Sequence, residues 1–387
     1  MRPKWRAAAL AVALFLAFIV PLLCAKSSKK ANSYIVYVGT YTGPTSKGIY
    51  AFRFDESTGR ATSIGLAGET INPSFLVADA AGKHLYAVNE VSDFQGQKSG
   101  AVSAFSIDHA SGKLTSLNQV SSHGAGPCYI SLDKTGKYAL VANYDSGTVA
   151  TFPVLPDGKL GEAASVVQHS GHGTDPERQE GPHAHEIEVS PDNRFAIAAD
   201  LGLNKLLVYK FDAASGKLQA NSPPYIELDP AAGPRHFAFT PNGKFAYVLA
   251  EMKSTVSALS YDSQAGSFQK LQTISSLPPD FKGHNDSAEI KVSPDGKFVY
   301  ASNRGSDTIA VLSIAPDGKL APVEYASTQG KTPRGFALDP SGAYLFAANH
   351  ESNNIVVFKV DAKSGKLSPA GQTLEAPAPV DVRFVKE

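Results

Sequence analysis

Five residues suited to anion binding and proton transfer stand at the ends of predicted β-strands. Three of them are the arginines Arg235, Arg304 and Arg334, whose guanidinium groups can hold a carboxylate or phosphate through two parallel hydrogen bonds. The other two, His185 and Glu251, can act in proton transfer. Together these side chains predict a site for a small anionic substrate, provided that the fold brings them to one place.

The segments that carry these residues belong to two alternating repeats. One has seven copies, each a short strand that ends in an Asp/Ser/Gly turn, as in FSIDHASGKL (105–114) and FKVDAKSGKL (358–367). The other has six hairpins with a turn of the Pro-Asp-Gly-Lys kind, as in IKVSPDGKFVYASNR (290–304). The seventh hairpin is divided between the chain ends, with its first strand at 379–385 and its second at 34–40. This pattern predicts an all-β, seven-bladed β-propeller closed by pairing of the N- and C-terminal strands.

We expect one propeller domain from residue 32 to residue 387, since no helical period and no linker divides the repeats. Residues 1–31 hold basic residues, then an apolar run (7–24) and a polar spacer, which is typical of a secretory signal. An uncleaved membrane anchor is the alternative, because the apolar run approaches bilayer-spanning length. Either way, the sequence predicts an exported protein, periplasmic or extracellular.

Composition excludes several kinds of partner. The 36 basic residues balance the 36 acidic ones, and no basic block lies outside the N-terminus, which argues against a nucleic-acid surface. Without residues 1–25 the chain keeps a single cysteine, Cys128, so an internal disulfide is not possible. A monomer is expected, because closure of the ring leaves only short protected strand edges.

Alignment of the hairpins gives two columns of residues on the face where loops of variable length lie, such as 169–182 and 277–287. At the start of the inner strands the column contains Ser74, Cys128, His185, Arg235, Ala288, Arg334 and Val380. At the end of the second strands it contains Tyr41, Glu90, Tyr144, Leu201, Glu251, Arg304 and His350. A purely structural position would repeat one apolar residue in every blade. The variation from blade to blade therefore predicts a functional site at the mouth of the central channel.

Each of these assignments has a structural alternative. Glu251 and Arg304 could form an ion pair between blades, and Arg334 could be structural in the same way. Asparagines that recur at strand ends, Asn303 among them, are typical of turn capping as well as of substrate contact. Cys128 could be an unreactive core residue, as a lone buried thiol usually is.

Four histidines, at positions 169, 172, 183 and 185, raise the question of a zinc site. His183 and His185 would share one face of a strand, but a carboxylate at a suitable spacing is missing. The chain also lacks glycine-rich phosphate loops and the GxSxG and HExxH motifs. We therefore expect neither a metal nor an organic cofactor.

Several motifs resemble the seven-bladed propeller lactonase family, which includes propeller-type bacterial 6-phosphogluconolactonases and fungal carboxymuconate lactonizing enzymes. They are GTYT (39–42), PHAHE (182–186), GPRHFAF (233–239) and SPDGKFVYASNRG (293–305). The resemblance extends over essentially the whole chain after the leader. It implies a catalytic set of His185, Arg235, Glu251 and Arg304, and the columns and motifs add His183, His236, Arg334, Tyr144 and Asn303 as substrate-binding candidates.

The resemblance implies hydrolysis of a sugar lactone without a cofactor. Arg235 and Arg304 would hold the anionic group of the substrate or the developing oxyanion, and either Glu251 or His185 would activate water. Two alternatives remain open from the sequence. One is lactonization by a carboxymuconate-type cycloisomerase, and the other is a non-enzymatic exported propeller that binds a protein or a glycan.

Overall fold

A computed structural model describes residues 1, 3 and 32–387, so the apolar run of the predicted leader lies outside the described residues. In the described part, 28 β-strands form seven four-stranded antiparallel sheets. The predicted all-β, seven-bladed propeller is thereby confirmed. No helix in this part of the chain is long and apolar enough to cross a membrane.

Each sheet is one blade, and its first two strands lie nearest the central channel. The inner strands are β28 (Pro379–Lys386), β4 (Leu76–Ala78), β8 (Pro127–Leu132), β12 (Ala184–Val189), β16 (Pro234–Phe239), β20 (Ser287–Val292) and β24 (Pro333–Leu338). The second strands, in the same blade order, are β1 (Ser33–Thr40), β5 (His84–Asn89), β9 (Tyr138–Asn143), β13 (Phe195–Asp200), β17 (Phe245–Ala250), β21 (Phe298–Asn303) and β25 (Tyr344–Asn349).

The outer half of each blade consists of the remaining two strands. The third strands are β2 (Gly48–Asp55), β6 (Ala101–Ile107), β10 (Thr148–Pro153), β14 (Lys205–Asp212), β18 (Thr255–Asp262), β22 (Thr308–Ile314) and β26 (Asn354–Val360). The outermost are β3 (Arg60–Glu69), β7 (Leu114–Ser121), β11 (Ser165–Gln168), β15 (Lys217–Glu227), β19 (Ser267–Ser275), β23 (Leu320–Ser327) and β27 (Leu367–Glu375).

The two ends of the chain close the ring within one blade. β28 is the inner strand of that blade and pairs antiparallel with β1, so that Tyr37 lies opposite Arg383. The predicted division of the seventh hairpin between residues 379–385 and 34–40 is confirmed. Asp381 of β28 also accepts a hydrogen bond of 2.8 Å from the Leu76 amide, which links the closing blade to the next one.

Buried tyrosines on some of the second strands link a blade to its neighbour. The hydroxyl of Tyr247 donates to the carbonyl of Gly318 at 3.0 Å, and that of Tyr300 donates to Gly365 at 2.9 Å. Both glycines lie in the turn between the third and fourth strands, with φ of 82° and 72°, where a residue with a side chain would be strained. The stereotyped turns therefore serve blade packing, and they lie on the face opposite the variable loops.

Candidate active site at the channel mouth

A β-bulge at the start of the inner strands directs the inner column of residues. The pairing of β12 with β13 skips His185, and the pairing of β16 with β17 skips Arg235. Cys128 in β8 and Arg334 in β24 are skipped in the same way. A bulge leaves the extra residue unpaired and turns its side chain away from the regular alternation. The repeated bulge thus accounts for four different side chains at one level of the channel.

The second column supplies the acid at the centre of the site. Glu251 follows β17 and is 5% exposed, and Arg304 follows β21. One carboxylate oxygen of Glu251, Oε2, lies 3.0 Å from Nε of Arg235 and 3.0 Å from Nη2 of Arg304. The contact with Arg235 lies within one blade, whereas the contact with Arg304 joins neighbouring blades, so the interblade ion pair considered for Glu251 and Arg304 does form.

A third arginine reaches Glu251 from a loop and was not predicted from the sequence. Arg178, between β11 and β12, donates a hydrogen bond of 2.6 Å from Nη2 to Oε1 of Glu251. Its Nη1 lies 3.9 Å from Asp286. The loop 169–182 was expected to carry function. The alignment compares only positions inside the repeats, however, so it could not single out Arg178, which lies outside them. The only sequence signal was an arginine within a long loop at the open face.

The three arginines determine the charge of Glu251. Burial by itself raises the pKa of this carboxyl, but Arg304, Arg235 and Arg178 outweigh it and lower the pKa to about 2. Burial in turn lowers the pKa of Arg304 to about 10, against the opposing effect of Glu251. Glu251 is therefore a carboxylate at neutral pH, with little tendency to accept a proton.

His185 lies in a different environment from Glu251. It is 5% exposed, and its Nδ1 is 3.7 Å from the Cys128 sulfur. The rings of Tyr144 and His236 contact it edge to face, with centroids at 5.4 and 5.0 Å. Burial, followed by the positive charge of Arg235, lowers the pKa of His185 well below its usual value. His185 is thus a neutral imidazole at neutral pH.

His236 lies deeper in the channel, beneath His185. Its Nδ1 is 3.2 Å from Glu289, a buried carboxylate that also accepts a 2.9 Å hydrogen bond from Lys291. Burial lowers the pKa of His236 to about 3. Its ring packs against Phe75 and Tyr129. His236 therefore supports His185 from below, and the predicted direct contact with substrate stays a prediction.

Arg334 occupies the other side of the mouth. Its Nη2 donates a 2.7 Å hydrogen bond to the hydroxyl of Tyr41, which in turn donates to the carboxylate of Glu90 at 2.9 Å. Within residues 32–387, no carboxylate forms a direct ion pair with Arg334. The guanidinium is thus positioned through a tyrosine while its charge stays available to an anion.

Tyr144 and His183 form part of the rim. Their rings stack with centroids 4.6 Å apart, and Nδ1 of His183 lies 3.0 Å from the Tyr144 carbonyl. The hydroxyl of Tyr144 lies 3.4 Å from Nη2 of Arg178. The structure therefore brings both predicted residues to the mouth, close to the loop arginine.

Asn303 is the last residue of β21 and is enclosed by hydrogen-bond partners of its own blade. It is fully buried, donates to the Ser276 carbonyl at 2.7 Å and accepts from Ser287 at 2.7 Å. Asn143 and Asn349 make the equivalent bond to a loop carbonyl in their own blades. This geometry supports the capping interpretation of the asparagines and gives no support to Asn303 as a substrate ligand.

Three further features concern the site and its surroundings. Among the described residues, no group of three or more His, Cys, Asp or Glu side chains is arranged to hold a metal ion. Burial raises the pKa of Cys128 well above its usual value, so its sulfur stays a thiol. A cavity of about 890 Å³ lined by Tyr129, Glu188 and Arg383 opens on the opposite face, away from Glu251.

Known proteins match this chain over nearly all of its length. The 6-phosphogluconolactonase of Bacillus subtilis is 40% identical over 358 residues, which is 92% of this chain and 99% of that protein. The crystal structure of a putative 6-phosphogluconolactonase from Bacteroides fragilis has a TM-score of 0.85 at 36% identity, covering 93% of this chain and 99% of its own. A periplasmic gluconolactonase from Pseudomonas aeruginosa has a TM-score of 0.85 at 34% identity, with 91% and 99% covered.

The family described as lactonase, 7-bladed beta-propeller, matches residues 35–384, which is almost the whole ring. The identities above exceed 30% over whole chains, so the match extends beyond a shared fold. The predicted resemblance is confirmed: this chain belongs to the seven-bladed β-propeller lactonase family, whose named relatives are lactone-hydrolysing carboxylic ester hydrolases.

Proposed function

We propose that this protein hydrolyses an aldonolactone, of the kind formed by gluconate or 6-phosphogluconate, at the mouth of the propeller channel. The observation that carries the proposal is the neutral imidazole of His185 beside the arginine cluster on Glu251. The names of the relatives support the substrate class. No cofactor is required for this reaction.

Water would attack the carbonyl carbon of the lactone while His185 takes its proton, through Nε2, the ring nitrogen away from Cys128. The negative charge that develops on the carbonyl oxygen would be held by the guanidinium groups of Arg235 and Arg304. When the ring C–O bond breaks, the imidazolium returns its proton to the leaving oxygen. The products are a carboxylic acid and a hydroxyl group, and the acid then releases its proton to solvent to become a carboxylate, so all atoms and charges balance.

His185 suits the role of base better than Glu251. The carboxylate has a pKa of about 2 and is engaged by three arginines, so proton transfer to it is uphill at neutral pH. His185 is neutral, and within residues 32–387 no group forms a hydrogen bond with its Nε2, which can therefore accept a proton. An anion that forms beside it would also raise its pKa toward neutrality, because an opposite charge favours the protonated form. We therefore assign Glu251 to positioning the arginines.

We further propose that this activity lies outside the cytoplasm, on the grounds of the predicted leader and of the likeness to a protein named as a periplasmic gluconolactonase. An exported enzyme would meet unphosphorylated lactones, so δ-gluconolactone is the first substrate to test. We expect the enzyme to act as a monomer, because closure of the ring leaves only short protected strand edges.

The test is acid release from δ-gluconolactone and 6-phosphogluconolactone by pH-stat, corrected for spontaneous hydrolysis. We expect turnover of at least one lactone by the wild-type protein, and a loss of about 100-fold or more in His185→Ala. His172→Ala, in the exposed part of the loop 169–182, is the matched control and should keep full activity.

Full activity in His185→Ala would reject its role as the base. A wild-type protein that releases acid from neither lactone would reject hydrolysis. The cycloisomerase and the binding module would then remain, and loss of the ultraviolet absorbance of carboxymuconate in the presence of the protein would distinguish the cycloisomerase.

A further inference from the structure

We propose that Arg178 forms an outer anion subsite, which binds a second negative charge at the end of the substrate farthest from the lactone carbonyl. The proposal rests on the proposed function and deepens it, because it identifies a specificity-determining residue. The substrate class would be an aldonolactone that bears a distal phosphate or carboxylate. The reasons lie in the exposure, the bonding and the anchoring of this one side chain.

Arg178 is the accessible member of the cluster on Glu251. Its side chain is 39% exposed, against 4% for Arg235 and 17% for Arg304. The two inner guanidinium groups lie where the lactone carbonyl would react, so the outer one faces whatever part of the substrate projects toward solvent. A group entering from solvent therefore meets Arg178 first.

The cluster has more positive charge than Glu251 can neutralise. Three guanidinium groups share one carboxylate, and the next acid, Asp286, is 3.9 Å from Arg178. A substrate anion can therefore replace Glu251 as the partner of Arg178, because Arg235 and Arg304 continue to bind the Glu251 carboxylate. A hydroxyl group offers no charge to compensate and competes less well.

The backbone that carries Arg178 is built into the fold. The next residue, Gln179, is 1% exposed, and its side chain donates a 2.7 Å hydrogen bond to the Leu201 carbonyl and accepts from the Thr174 amide. Asp175 accepts from the Arg178 amide at 2.9 Å. Because Gln179 is buried next to Arg178, the backbone limits the positions that the guanidinium can occupy. A solvated surface arginine with no binding role would not need such an anchor.

The experiment is calorimetric binding of three acids that share one carbon chain: gluconate, 6-phosphogluconate and glucarate. These compounds have one anionic group, a distal phosphate and a distal carboxylate, respectively. The variant is Arg178→Ala. The control is Lys253→Ala, which removes an exposed positive charge from the loop that follows Glu251. Thermal unfolding of each variant checks that the ring stays folded.

We expect Arg178→Ala to weaken 6-phosphogluconate binding by roughly 10- to 100-fold, the loss typical of one charge-assisted hydrogen bond. Gluconate should change by less than about twofold, and Lys253→Ala should leave both acids unaffected. A parallel loss for glucarate shows that a distal carboxylate is also accepted, and a loss confined to 6-phosphogluconate shows that the subsite selects phosphate.

Equal weakening of gluconate and 6-phosphogluconate in Arg178→Ala, or no weakening of either, would overturn the inference. So would a wild-type protein that binds none of the three acids. Lactone turnover by the wild-type protein is scored separately. A protein that binds the acids selectively through Arg178 but hydrolyses no lactone would reject the proposed function and keep the subsite.

Discussion

The Nε atom of Arg235 lies 3.0 Å from Oε2 of Glu251, yet it is not aligned to donate a hydrogen bond to it and has no other partner in the described residues. Charge therefore holds this buried guanidinium beside the carboxylate, while one of its N–H groups stays unsatisfied. An unsatisfied buried donor is costly, and such groups are retained where a ligand completes them. The ion pair thus stabilises the fold and at the same time leaves an N–H group of Arg235 available to a ligand. A substitution of Glu251 can test both roles.

Replacement of Glu251 by glutamine should affect stability and activity together. Glutamine has the same shape as glutamate but no charge. The largely buried guanidinium groups of Arg235 and Arg304 would therefore lose their counter-charge. We expect the free energy of unfolding to fall by about 3 kcal/mol and kcat/KM for the lactone to fall by about 100-fold. Urea unfolding and steady-state kinetics measure the two effects. The control is Glu177→Gln, at an exposed position in the loop 169–182, which should change neither stability nor activity. Equal stability of Glu251→Gln and the wild-type protein would contradict the ion-pair account.

The pH dependence of kcat/KM should reveal the environment of His185. Burial and Arg235 hold the pKa of this histidine below its usual 6.5, so the neutral, competent form persists into mildly acid solution. Activity should fall on the acid side only at pH values below about 6.5, as His185 becomes protonated. On the alkaline side, Arg304 should lose its charge near its pKa of about 10. An acid limb centred at or above pH 6.5 would show that another group is the base.

Asp200 should be needed for the loop that carries Arg178 and His183. This buried acid lies 2.6 Å from Nδ1 of His169 and accepts a 2.8 Å hydrogen bond from the His183 amide. Asp200→Ala leaves those donors unsatisfied in the interior, and we expect a loss of about 3 kcal/mol in the free energy of unfolding. Lactone turnover should fall as well, through displacement of the rim.

The matched control for Asp200 is Asp157→Ala. Asp157 is an exposed turn residue whose ion pair with Lys159 is on the surface. Chemical denaturation of both variants compares the loss of a buried, hydrogen-bonded carboxylate with the loss of an exposed one. A loss no larger in Asp200→Ala than in Asp157→Ala would show that the network does not anchor the loop.

Removal of β28 should prevent the ring from closing. A chain that ends at residue 378 loses the inner strand of one blade and the acceptor that Asp381 offers to Leu76. We expect no cooperative unfolding transition in circular dichroism and an expanded or aggregated species in size exclusion. Deletion of Glu387 alone removes an exposed ion pair with Arg53, which is worth at most about 1 kcal/mol, and should leave the fold intact. A cooperative transition in the 378-residue chain would show that closure is dispensable.

The sequence alone determined the ring and most of its mouth. Strand alternation and turn chemistry are local, so repeats read along the chain were enough to predict seven blades, the shared closing blade and the columns that hold His185, Arg235, Glu251 and Arg304. Arg235, Glu251 and Arg304 do meet, and His185 lies close enough to Arg235 for that charge to lower the pKa of the histidine, because every blade places the same repeat position at the same height in the channel.

Only the tertiary structure decided what each residue contacts. Arg178 lies in a loop outside the repeats, and its path depends on the burial of Gln179 against a neighbouring blade. Asn303 occupies the same repeat position as Asn143 and Asn349, and its hydrogen bonds to Ser276 and Ser287 show that it is buried as a cap in its blade. The charge of Glu251 likewise depends on arginines that are distant in sequence. Such properties arise from packing between blades, which no local pattern encodes.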